Sequence, residues 1–195
     1  MKSKITVLLG LIFILAGLIW YAATLRESAC AEAMAQEIVP QLQQTVLQQQ
    51  ISETEPEPTQ LLPEHMTEVF IDGIGYVGVL RISVLDLELP VISFWSAEHA
   101  KIAPCRYSGT VYQDDLILCA HNYDGHFGKL QDLENGDVVT FTDADGCDYS
   151  YQVQETQVLE GTDVEKIHAG DWDLTLFTCT PGGKMRYCVR CLRSA

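Results

Sequence analysis

Polar and apolar positions follow two different rules along this chain. From Ile5 to Leu25 the sequence reads ITVLLGLIFILAGLIWYAATL, without a charge and without alternation. At about 1.5 Å per residue, a helix of this length crosses a hydrocarbon core of about 30 Å. Residues 27–50, ESACAEAMAQEIVPQLQQTVLQQQ, are rich in Ala, Gln and Glu and predict a helical stalk that Pro40 would break or kink. Residues 51–64 combine acids with three prolines, the composition of an extended linker. Beyond about residue 66 the apolar runs become short and are punctuated by Gly, Asp and Asn. Runs at 76–82, 87–92, 116–120, 138–141, 149–159, 174–178 and 187–192 read as strands, with Asp145-Gly146 as a hairpin turn. Segments 96–102, 126–133 and 163–169 suit short helices, the last with Thr162 or Asp163 as its cap. Seven or eight strands in so short a stretch predict an all-β closed barrel.

The expected organisation is a cytoplasmic tip and transmembrane anchor over 1–26, a stalk and linker over 27–65, and one folded domain over 66–195. Lys2 and Lys4 precede the apolar run, whereas Arg26 is offset at once by Glu27. The positive-inside bias therefore places the N-terminus in the cytoplasm and the remainder outside. Ala22, Ala23 and Ala29 are small residues of the kind that flank cleavage sites, but the run exceeds the usual signal-peptide core of about 7 to 15 residues.

Charge narrows the function classes. The net charge is −15, and the part beyond residue 26 carries 9 basic against 27 acidic groups, or −18. Phosphate backbones would repel it, so nucleic-acid binding is a poor hypothesis. All seven cysteines lie beyond the apolar run, an odd number spaced unlike a disulfide framework. Most read as small buried hydrophobes.

Three residues at strand ends carry candidate chemistry. The run Leu174–Thr178 closes on Cys179, Leu116–Ala120 delivers His121, and Arg186 opens the last strand. A free thiol has a pKa near 8.5 and needs a base or a cation beside it to be a nucleophile near neutrality. His121 supplies the first and Arg186 the second, and a fixed guanidinium also stabilises an oxyanion. Arg190 shares a strand face with Arg186, and His126 lies five residues from His121; each is the weaker candidate by position. Cys188-Val189-Arg190-Cys191 is formally a CxxC, but residues three apart on a strand face opposite sides. Asp143, Asp145 and Asp148 fit a solvated hairpin tip better than a calcium loop.

The ordered set resembles the sortase family. Thr175-Leu176-Phe177-Thr178-Cys179 matches its TLxTC signature, Ala120-His121 stands where its small-residue–His pair occurs, and Arg186 opens the strand that carries its arginine. The likeness spans roughly residues 72–193 and resembles classes B and D without fitting either fully. It implies an eight-stranded sortase-type β-barrel and a cysteine transpeptidase of a Gram-positive envelope, with His121, Cys179 and Arg186 catalytic and Thr178 lining the acyl pocket. The implied partners are secreted proteins bearing a sorting signal of LPxTG type and an amine acceptor from a peptidoglycan precursor or a surface protein. No cofactor or metal is expected, and no position-by-position match to the calcium-binding carboxylates of some sortases is found. The alternatives are a cysteine peptidase in which water outcompetes the amine, and a non-catalytic peptide-binding module of the envelope.

Overall fold

The structure, a computed structural model, describes residues 2–52 and 65–194. The expected linker therefore falls almost wholly outside the described residues. Helix α1 (Lys2–Ser52) is continuous through Pro40, so anchor and stalk form one element. A proline inside a helix removes one backbone hydrogen bond, and here tertiary packing on both sides of it sustains the helix. Ala31, Ala35, Val39, Leu42 and Val46 recur at spacings of three or four and are all buried. The presumed stalk is thus more than a spacer: this stripe lies against the strands that follow.

Nine strands form a single sheet: β1 (Val69–Ile71), β2 (Ile74–Ile82), β3 (Leu87–Ile92), β4 (Cys105–Ser108), β5 (Leu116–Cys119), β6 (Val138–Asp143), β7 (Asp148–Glu160), β8 (Leu174–Cys179) and β9 (Met185–Arg193). Their order is β1-β2-β3-β4-β5-β8-β9-β7-β6, and β6 pairs back onto β2, closing an eight-stranded barrel. β1 is the extra strand, occupying the first part of the β2 edge that β6 takes over at Gly78. Closure requires a glycine there. Gly78 sits at a bulge with φ +155°, and a Cβ would come within 2.2 Å of the Thr142 carbonyl oxygen.

Strand alternation divides the apolar residues into two layers. Leu80, Leu118, Phe141, Tyr151, Leu176 and Val189 fill the barrel interior. The outer face of β2, β5, β8 and β9 is covered by the α1 stripe and by Ala100, Ala103 and Ile167. Ile167 belongs to α2 (Val164–His168), a single turn after Asp163, inside the predicted segment.

Candidate active site

Three adjacent strands build the site rung by rung. β5 and β8 are parallel, with Ile117 beside Thr175 and Cys119 beside Phe177. β8 and β9 are antiparallel, with Thr175 beside Arg190, Phe177 beside Cys188 and Cys179 beside Arg186. Because side chains alternate, all of these occupy the outer face. The next rung of β8 and β9 pairs Cys179 with Arg186, and His121 leaves β5 two residues beyond Cys119. Two hydrogen bonds carry the register past the end of β5: the Ala120 amide donates to the Phe177 carbonyl (3.3 Å), and the Thr178 hydroxyl donates to the Ala120 carbonyl (2.8 Å).

These three side chains border one cleft of about 410 Å³, whose walls are mostly apolar. Phe177, Tyr107, Ile167, Ala100 and Trp95 line it, with the Tyr107 and Phe177 rings edge-on at 5.2 Å. Cys179 is a free, partly exposed thiol at its mouth. Cys119, one rung deeper, is buried, and burial pushes its thiol far above the usual range. An apolar cleft with a thiol, an imidazole and a guanidinium at one end is equipped for acyl transfer through a thioester.

Burial holds the His121 imidazole below its usual pKa; Glu27 pulls it back up and Lys101 pushes it further down. Its Nε2 is buried without a hydrogen-bond partner in the protein. Arg186 is oriented by its own loop, Nη1 donating to the carbonyls of Gly183 (2.9 Å) and Met185 (3.1 Å). Thr178 borders the cleft, but its hydroxyl is committed to Ala120 and so locks the histidine rung to the cysteine rung.

The competing residues have other work. Arg190 is 1% exposed; it donates from Nη1 to the Ile167 carbonyl (2.6 Å) and to Thr175 Oγ1 (2.9 Å), and from Nη2 to the Lys166 carbonyl. It closes the C-terminal end of α2 from beneath. His126 is fully buried, and burial lowers its pKa to about 4. Cys188 and Cys191 are buried in different layers, as their spacing requires, and cannot act as a pair. Asp143 accepts from the amides of Asp145 and Cys147 and from the Tyr149 hydroxyl, which accounts for the acidic hairpin as a folded tip. Among the described residues no three His, Cys, Asp or Glu side chains gather as a metal site.

Sequence reasoning missed Trp95, Lys101, Tyr107 and Gly161 at the cleft. They come from loops and from the short strand β4, and no periodic pattern marks them.

A sortase domain model matches residues 80–194, more than half of the chain and all of the rung. The chain belongs to the sortase family. It is a sortase-type cysteine transpeptidase. No curated protein matches it. Among solved structures, a sortase C of Streptococcus pneumoniae superposes on this sortase with a TM-score of 0.61 at 21% identity, covering 82% of this chain and 97% of that one. Sortase C from Clostridium perfringens SM101 gives 0.54 at 20% identity, covering 84% and 90%. Sortase C1 from Streptococcus suis gives 0.53 at 24% identity, covering 62% and 73%. These likenesses concern the fold.

Proposed function

We propose that this sortase is anchored in the cell membrane of a Gram-positive bacterium by α1, with its N-terminus in the cytoplasm and the barrel outside, and that it joins secreted proteins to an envelope amine. The observation that carries this reading is the pairing of Cys179 with Arg186 on adjacent strands, with His121 bordering the same apolar cleft. Helix α1 supports the anchor, since it contains a stretch long and apolar enough to cross a membrane.

The thiolate of Cys179 attacks the carbonyl carbon of the threonine in an LPxTG-type motif, and the oxyanion develops beside the Arg186 guanidinium. The carbon–nitrogen bond then breaks, and His121 gives a proton to the departing amine. The thioacyl-enzyme that remains is attacked by an incoming amine, from a peptidoglycan precursor or a surface protein. His121 takes the proton from that amine as the carbon–sulfur bond breaks and the thiolate returns. The apolar walls hold the motif's leading residues and keep water from the thioester, which favours the amine over hydrolysis.

The test uses the full chain in detergent micelles and its Cys179→Ala variant, offered LPxTG-like and NPxTx-like peptides with and without an amine and followed by mass spectrometry. Cleavage after threonine that needs Cys179, with transfer to the amine, is the expected result. Cleavage that no amine diverts from hydrolysis would make the chain a peptidase. Folded protein giving no Cys179-dependent product would overturn the catalytic reading in favour of a peptide-binding module.

A further inference from the structure

The loop that follows His121 is clamped between the barrel and the helix that bears the apolar span. Tyr123 stacks on the His121 ring at 5.0 Å with 26° between the planes, and its centroid lies 5.7 Å from that of His126. The backbone fixes that stack: the Phe127 amide donates to the His121 carbonyl (3.1 Å), and the amides of His126 and Gly128 donate to the Tyr123 carbonyl (2.9 and 2.8 Å). Two residues further on, the loop meets α1. Gly125 is buried so closely there that a Cβ would stand 3.1 Å from the Glu32 side chain and 3.2 Å from the Ser28 carbonyl oxygen. Burial, and after it the charge and hydrogen bonding of Glu27, the helix residue just before Ser28, hold the Tyr123 hydroxyl above its usual pKa.

We propose that the anchor helix is a working part of the site, with Glu27 and Tyr123 acting as positioning residues that hold the His121 ring on its rung. This rests on the role of His121 given above. The groups facing the ring are Glu27 from α1, Lys101 from the turn before β4, Tyr123 and His126 from its own loop, and Cys179 and Arg186 across the cleft. Glu27 and Lys101 act on the ring with opposite sign. The ring stack restrains its orientation without using Nε2. The orienting group therefore comes from a part of the chain far from the barrel in sequence, at the first helical turn beyond the apolar run.

The experiment uses the full chain in micelles with ¹⁵N-labelled histidine rings, comparing the parent with Glu27→Gln, Lys101→Gln, Tyr123→Phe and Tyr123→Leu. Glu27→Gln is expected to move the His121 titration down by about 0.3 pH units and Lys101→Gln to move it up, the size of a partly screened charge several ångströms away. Tyr123→Leu is expected to lower kcat about tenfold with KM within about twofold, the signature of a misplaced catalytic group, with Tyr123→Phe in between. Unchanged titration in Glu27→Gln together with unchanged kcat in Tyr123→Leu would overturn the proposal. The titration reads the coupling even if the parent shows no Cys179-dependent transfer, so failure of the enzymatic reading and failure of this one are separable.

Discussion

Two arginines four residues apart on one face of β9 do opposite things, and the difference lies in what each guanidinium touches. Arg186 is held by loop carbonyls at the cleft mouth, whereas Arg190 is sealed under α2. Arg186→Lys keeps the charge but loses the fork that fits an oxyanion. It is expected to lower kcat about 10²- to 10³-fold with the unfolding midpoint unchanged, as peptide kinetics and urea titration would show. Arg190→Met strips a donor from the buried Ile167 carbonyl, the partly buried Lys166 carbonyl and the buried Thr175 hydroxyl. It should cost about 2–4 kcal/mol in the same titration, while kcat of the folded fraction stays near parental. His126 supplies a pH test. Its folded pKa of about 4 lies below the unfolded value near 6.5, so the unfolded state binds the extra proton. The stability it contributes is complete above about pH 6.5 and is lost as pH falls toward 4. Urea midpoints should show a loss of about 2 kcal/mol between pH 7 and pH 5 that His126→Phe removes.

At the scale of elements, the site was legible because strand parity is legible. Cys179, His121 and Arg186 each follow or open an apolar run, and period-two alternation then decides which neighbours share their face. Arg190 shares that face too, so parity alone did not separate it from Arg186; position at the strand start favoured Arg186, and the packing of α2 on Arg190 shows what the other does. Strands β1 and β4 lack a run long enough to show a period, and Tyr107 of β4 at the cleft wall was invisible for the same reason. The buried stripe of α1 was spaced for burial in plain view, at Ala31, Ala35, Val39, Leu42 and Val46, but Pro40 and the surrounding glutamines obscured it. Leu42, 1% exposed against the outer face of the barrel, measures what that contact contributes. Leu42→Ala is expected to destabilise the full chain by about 2–4 kcal/mol in thermal or urea unfolding. Gly78→Val, forced into both a bulge conformation and the Thr142 carbonyl, should cost at least as much by the same measurement.

For the molecule as a whole, the proposed anchoring puts the acidic barrel and the apolar end of α1 in different solvents, joined by one unbroken helix. Cys30 is exposed four residues after Arg26, and Cys147 is exposed at the hairpin between β6 and β7. In intact cells a membrane-impermeant maleimide is expected to label Cys30 and Cys147 without permeabilisation; labelling only after permeabilisation would reverse the proposed orientation. Because α1 grips the barrel from Ala31 onward, it also serves as a ruler between bilayer and cleft. Each residue inserted just after Arg26 would lift the barrel by about 1.5 Å and swing it by about 100° around the helix axis. A seven-residue insertion restores the facing to within about 20° and raises the cleft by about 10 Å. With α1 anchored as proposed, the reach and heading of the cleft are thus set by residue count in a helix that lies outside the barrel altogether.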